Sequence, residues 1–335
     1  MTGLTIARRR FLASAGVFSL AFPLGLGSAC ADDSVIAEDS ASATDTKPGQ
    51  PNYVNAKQSD WRFGVSIDTP VTFTNGIATF PIPMDWPEQT VEVVTRELDS
   101  AVAQVQVREI DGGVRQVVMA IPRMTAHATM QTVVTMRIVK REIQPPQDTD
   151  SLTIPKRVSR ELRSYMGNSP MIDASNGRIR ALSRELASSA PEKAWDLVRA
   201  IYDRVREEVR YVEGPIRNAS DALETGEGDC EDMTSLFVAL CRNAGVPARM
   251  VWVPGHCYPE FYLEQDGQGY WYPCQAAGTE QFGKMQEDRP IVQKGDRFKT
   301  PEQRKPVRYV SEYFRCDRRG NGTPRIEMIR GVVTE

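Results

Sequence analysis

Histidine is nearly absent from this 335-residue chain: there are two, His127 and His256. A histidine-rich metal cluster is thereby excluded, and any imidazole chemistry falls on one of two positions. No C-x-x-C pair occurs, which argues against thioredoxin-type redox chemistry. There is no phosphate-binding glycine loop and no dinucleotide fingerprint, so no organic cofactor is expected. Positive charge is not in excess, with 41 Lys and Arg against 44 Asp and Glu, which makes nucleic acid a poor partner. The apolar run from Phe11 to Leu26 is broken by Pro23 and several glycines, where a span needs about 20 apolar residues. With 41% hydrophobic and 25% charged residues, the composition is that of a globular protein long enough for two domains.

Residues 1–31 carry Arg8, Arg9 and Arg10, no acid and no lysine, followed by that apolar run. This is the pattern of a signal peptide. Arg9-Arg10-Phe11-Leu12 and its preceding Arg8 fit a twin-arginine address, so the expected location is periplasmic or extracellular. Ala29-Cys30-Ala31 is an A-x-A cleavage site; lipid attachment at Cys30 is the rival reading and the one route to a membrane. Loss of three arginines with the signal takes the net charge from −3 to −6. Five cysteines remain, an odd number, so at least one thiol is free or pairs between molecules.

Residues 32–59 are rich in Ser, Ala, Asp, Thr and Pro and read as a linker, because they cannot bury enough surface to offset ordering entropy. Residues 60–146 show period-two stretches. Val71 to Thr74 and Ile77 to Phe80 flank Asn75-Gly76, a type I′ hairpin signal, and Val105 to Ile110 and Val114 to Ile121 flank Asp111-Gly112-Gly113. Val133 to Val139 adds another strand before Pro145-Pro146. The expectation is a small antiparallel β-sandwich, with Trp61 and Trp86 as core or sheet-edge aromatics and His127 as a surface or sheet residue.

From residue 150 the period becomes helical. Ile179, Leu182 and Leu186, then Ala194, Leu197, Ile201 and Val205, mark two amphipathic helices, the second starting at Pro191. The next segment contains Gly226-Glu-Gly228-Asp229-Cys230, then Leu236, Phe237 and Leu240, then Gly245. That is a glycine-rich turn feeding a helix, with Asp229 as N-cap, Cys230 in the first turn and Gly245 as the left-handed terminator. A cysteine at a helix start has its thiolate favoured by the helix dipole. Glu231 and Asp232 oppose that charge unless they face solvent. His256 follows in Trp252 to Leu263, an alternating strand, and a Cys–His pair on a helix start and a neighbouring strand is what nucleophilic catalysis requires.

These residues resemble the transglutaminase-like superfamily, whose members share a papain-related α+β core. The resemblance rests on G-x-G-D-C at 226–230, on Leu-Phe-x-Ala-Leu-x-Arg-x-x-Gly-x-Pro-x-Arg at 236–249, on His256 after a glycine, and on Trp271-Tyr-Pro273. It is strongest over residues 195–280. It implies an α+β fold in which an N-terminal antiparallel β-sandwich (60–146) precedes the core (150–280), with 281–335 as a C-terminal extension. There Gly283 to Arg308 is expected as a solvated loop and Tyr309 to Phe314 as a returning strand. The resemblance carries over Cys230 as nucleophile and His256 as base. At the third position Gln275 stands where the family has Asp; an amide can orient the imidazole but cannot neutralise its charge. If His256 and Gln275 face each other on paired strands, with a turn within Glu264 to Gly269, Cys257 and Cys274 become cross-strand neighbours, as thiols or as a disulfide. Cys241 is expected as a small buried hydrophobe.

The leading functional reading is an exported cysteine hydrolase or acyltransferase working through an acyl-enzyme at Cys230 on a peptide or protein. The alternative is an inactive domain of the same fold that binds peptide or cell-envelope polymer. A zinc site from Cys230, His256 and Cys257 or Cys274 is a third reading, disfavoured because neighbours on a strand face opposite ways.

Overall fold

The computed structural model describes residues 47–334, apart from 111, 190 and 191. The signal peptide, Cys30, most of the linker and Pro191 lie outside the described residues.

Six strands come first: β1 (Asn52–Thr69), β2 (Phe73–Ile82), β3 (Gln89–Glu97), β4 (Gln104–Ile110), β5 (Val114–Met124) and β6 (Ala128–Gln144). β1 and β6 pair antiparallel from Asn52↔Gln144 to Thr69↔Ala128. Strict alternation turns Phe63, Val65 and Ile67 of β1 and Met130, Met136 and Ile138 of β6 inward. They meet Phe80 of β2 and Val117, Met119 and Ile121 of β5, giving two sheets a shared apolar core.

The linker expected to run to Ser59 stops earlier, because β1 begins at Asn52. Backbone pairing to β6 holds its first residues, and Tyr53 packs against Ile143, Val251 and Tyr258. Asn75-Gly76 is not a hairpin turn. It lies inside β2, where two residues oppose the single Cys316 of a neighbouring strand and Asn75 takes φ 53°. The left-handed residue that would close a hairpin here makes a β-bulge, because long-range partners flank β2 on both edges.

The helical layer follows: α1 (Gly177–Ser189), α2 (Ala194–Glu208), α3 (Ala219–Thr225) and α4 (Cys230–Asn243), with β7 (Arg210–Tyr211) pairing in parallel with β8 (Glu227–Gly228). α4 is buried from Asp232 to Arg242. It packs on α1, α2 and α3 and against β9 (Ala248–Val253) and β10 (His256–Gln265). β11 (Gln268–Pro273) and β12 (Gln293–Lys294) extend the sheet. β13 (Tyr313–Arg318) and β14 (Arg325–Val332) then return to β2 and β1. The sheet orders are β14-β1-β6-β3 and β11-β10-β9-β12-β5-β2-β13, with β4 on β5. The fold is thus α+β with antiparallel sheets.

Residues 283–308 are not simply solvated. Ile291 to Asp296 and Phe298 are buried, and β12 stitches β9 to β5. Their charges survive burial because each is paired. Lys294 Nζ donates to Glu88 at 2.5 Å and to Glu260 at 2.6 Å, and Arg249 reaches Glu260 at 2.8 Å. Asp296 receives Arg242 at 2.8 Å, both side chains being fully buried. Thus the two motif arginines at 242 and 249 are structural. Replacing Lys294 by Met would leave Glu88 and Glu260 buried without their shared cation. Urea unfolding is expected to show a loss of about 3–5 kcal/mol.

Candidate active site

Each residue of Gly226-Glu-Gly-Asp-Cys230 has a local task. Gly226 ends α3 in the left-handed region at φ 64°. A Cβ at Gly228 would sit 2.6 Å from Cβ of Asp232, so only glycine lets that side chain fold back. The Asp229 carboxylate accepts from the amides of Glu231 at 2.8 Å and Asp232 at 3.1 Å, while Asp232 accepts from Asp229 N–H at 3.3 Å, a reciprocal capping box. Cys230 is therefore the first helical residue. At the far end, Gly245 N–H donates to Arg242 and Val246 N–H to Cys241, the paired bonds of a Schellman motif.

The two acids that follow the sulfur differ: Asp232 is enclosed, while Glu231 is partly exposed at one cleft. Asp232 is buried and also accepts from Arg217 N–H at 2.9 Å; Glu231 pairs with Arg308 at 3.3 Å. Burial raises the pKa of both.

Pro254-Gly255 turns the chain from β9 into β10, with His256↔Val253 closing the turn and Gly255 at φ 72°. His256 Nε2 lies 3.1 Å from Gln275 Oε1, which leaves Nδ1 for the thiol. Gln275 is held through its backbone, its N–H donating to Gln281 at 2.8 Å and its carbonyl accepting from Arg206 at 3.1 Å. Cys230, His256 and Gln275 thus come together in one row. Cys257 also reaches Cys230, its thiol donating to the Cys230 carbonyl oxygen at 3.6 Å.

Those contacts set the ionisation. The Cys257 thiol is the strongest influence on Cys230; burial works against it, and the bond to and charge of His256 help, so the thiol is held down to about 4. Burial would lower His256, but its bonds to Cys230 and Gln275 and the thiolate charge outweigh this and raise it. Cys257, fully buried, is pushed well up and stays a thiol.

The pair stands between two clefts. One, about 580 Å³, is walled by Trp252, Arg308 and Tyr309; the other, about 480 Å³, by Gln275, Thr279 and Arg289. Tyr211, 52% exposed, borders both. A cavity of about 710 Å³ between Trp86, Tyr165 and Arg249 holds neither Cys nor His.

The expected cross-strand cysteine neighbours are absent. β10 and β11 pair as Glu260↔Pro273 and Gln265↔Gln268, two residues away from the register that would oppose Cys257 to Cys274. Asp266-Gly267, at φ 52° and 77°, forms the two-residue turn that fixes this register. Cys274 N–H instead bonds Pro259, and Cys257 and Cys274 are free thiols. His256 still meets Gln275 because both sit beyond the paired stretch.

Residues 180–276 match the model of the transglutaminase-like superfamily. This stretch is a transglutaminase-like domain. A candidate cysteine protease from Cytophaga hutchinsonii shares the fold, with a TM-score of 0.57 and 15% identity over 85% of this chain and 93% of that one. The periplasmic domain of TgpA from Pseudomonas aeruginosa aligns with a TM-score of 0.30 and 17% identity, over 61% of this chain and 90% of that one. No curated protein matches the chain.

Sequence reasoning missed Arg308 and the part played by Cys257. The first comes from a charged segment with no periodicity; the second shows only once β10 is laid against the start of α4. With the thiol pKa depressed to about 4, the thiolate is present above that value and is lost as pH falls through it. Iodoacetamide labelling of Cys230 is expected to stay rapid at pH 5–6 and collapse below about 4. In His256→Ala the profile should move up toward the free-thiol value of about 8.5.

Proposed function

We propose that this chain is an exported cysteine hydrolase or acyltransferase acting on amide bonds of a peptide or protein, with Cys230 as nucleophile, His256 as base and Gln275 orienting the imidazole. The observation that carries this reading is Cys230 at the start of α4, hydrogen-bonded to a His256 that Gln275 holds from behind, at the meeting of two clefts. Export rests on the twin-arginine sequence at Arg8 to Leu12. Among the described residues, no helix is long and apolar enough to cross a membrane.

The chemistry follows from the charges. The Cys230 thiolate attacks the carbonyl carbon, and its own N–H, at a helix start where backbone donors lack intrahelical partners, faces the developing oxyanion. The His256 imidazolium gives its proton to the leaving amine as the C–N bond breaks. Neutral His256 then takes a proton from water or from a second amine, which attacks the thioester and returns Cys230 as thiolate. Two clefts sharing one nucleophile suit an acyl group on one side and a leaving group on the other.

A second reading, a domain that binds peptide or cell-envelope polymer without turnover, is favoured by one residue. Gln275 cannot stabilise the imidazolium as a carboxylate would.

The test is to incubate the chain and its Cys230→Ser variant with a complex peptide pool, with and without a primary-amine probe, and follow the peptides by mass spectrometry. Cleavage, deamidation or amine incorporation that vanishes in Cys230→Ser is the expected result. Unchanged peptides with wild type, while Cys230 still alkylates rapidly, would leave the binding reading. If the pool is turned over, Gln275→Ala is expected to lower kcat by about ten- to a hundredfold with little effect on KM, since it acts through the imidazole.

A further inference from the structure

Cys257 is 1% exposed and lies against the first turn of α4, beneath the nucleophile. Its Sγ is 3.6 Å from the Cys230 carbonyl oxygen and 3.9 Å from Thr234 Oγ1, and among neighbouring groups it does most to favour the Cys230 thiolate. Cys230 is the half-buried member, open to both clefts. Cys241 and Cys274 are fully enclosed in the core, and Cys316 is on β13, beside β2. One accessible sulfur therefore stands directly on one concealed sulfur. Acyl transfer requires only the first.

We propose that Cys230 and Cys257 form a two-thiol oxidation site whose oxidant is a hydroperoxide. The Cys230 thiolate attacks the O–O bond, forming a sulfur–oxygen bond as the O–O bond breaks; the departing hydroxide or alkoxide takes the His256 proton and leaves as water or an alcohol, and Cys230 is left as a sulfenic acid. The Cys257 sulfur then attacks the Cys230 sulfur. An S–S bond forms, the S–O bond breaks, and the departing hydroxide takes the Cys257 proton as water. Two thiols lose two electrons and the peroxide gains them. An external dithiol reverses the change.

Two features direct the oxidation this way. Cys230 is the thiolate of the pair, because it keeps its negative charge down to mildly acidic pH, and thiolate character with exposure decides which sulfur is oxidised. The resolving thiol is already in contact, so the disulfide can compete with further oxidation of the sulfenic acid. The closed pair blocks the nucleophile, and Cys257 becomes a guard against irreversible loss of Cys230. This goes beyond acyl transfer and needs no turnover, so it stands or falls by mass alone.

The experiment treats the reduced chain with hydrogen peroxide, traps remaining thiols with N-ethylmaleimide under denaturing conditions, and maps peptides without reduction. Trypsin cuts after Arg242 and Arg249 and chymotrypsin after Phe237 and Phe261, which separates Cys230 from Cys241, Cys257 from Cys274, and the two proposed partners from each other. Expected are a loss of two hydrogens, a linked Cys230–Cys257 peptide pair, loss of iodoacetamide labelling at Cys230, and full recovery with dithiothreitol. In Cys257→Ala and in Cys257→Ser the same dose should add two or three oxygens to Cys230, beyond rescue by dithiothreitol. Wild-type protein that accumulates these oxygens while Cys257 is trapped by maleimide would overturn the proposal. So would a disulfide from Cys230 to any other cysteine or to a second molecule.

Discussion

A thiolate must exist within two residues of three carboxylates, and the layout of the site follows from that constraint: Asp229 is engaged by the amides of Glu231 and Asp232. Asp232 is removed from contention by being folded back into the cap of its own helix, a fold made possible by the missing side chain at Gly228. Glu231 is matched by Arg308, which reaches it from the far C-terminal segment. What remains at the helix start is favourable to the sulfur: the neighbouring Cys257, an imidazole, and the aligned peptide dipoles. A short cap motif, a distant arginine and a neighbouring strand thus act on one atom.

The buried ion network is the corresponding constraint on the frame. Glu88 comes from the segment before β3, Arg249 from β9, Glu260 from β10 and Lys294 from β12, so one cluster ties strands from the sandwich to strands that carry the site. Arg249 is further layered against Trp271, with its guanidinium 4.0 Å from the ring centroid. Such a network has strict geometry, since each charge loses its solvation and must recover it from its partners. The sheet that presents His256 is held in place by that requirement.

What could be read from the sequence was whatever is encoded locally. The α4 start and stop, the apolar stripes of α1 and α2, and the Val105 to Ile121 hairpin each depend on residues a few positions apart, and each forms. Asn75-Gly76 shows the limit: the same dipeptide serves a hairpin or a bulge, and only the presence of β5 and β13 on either side decides. The β10–β11 register is set by the two-residue turn at Asp266-Gly267 and not by pairing of His256 with Gln275, two residues that the sequence alone brings together only through their shared role. Ile326 and Met328 of β14 alternate with charge as an edge strand should. The buried roles of Lys294 and Asp296 had no local signature at all, because nothing near them in sequence announces Glu88 or Arg242.

The strands that close the sandwich come from opposite ends of the described chain: Trp61 of β1 pairs with Val332 of β14, and Phe73 of β2 with Arg318 of β13. During synthesis, β1 and β2 therefore leave the ribosome long before these partners exist, and one edge of each waits as an open template while the helical layer is made. Final closure is a late, non-local event, and such contacts are slow to form. The sandwich therefore closes on β13 and β14, strands that follow the helical layer in the chain, so its closure comes after the residues of the candidate site have been made.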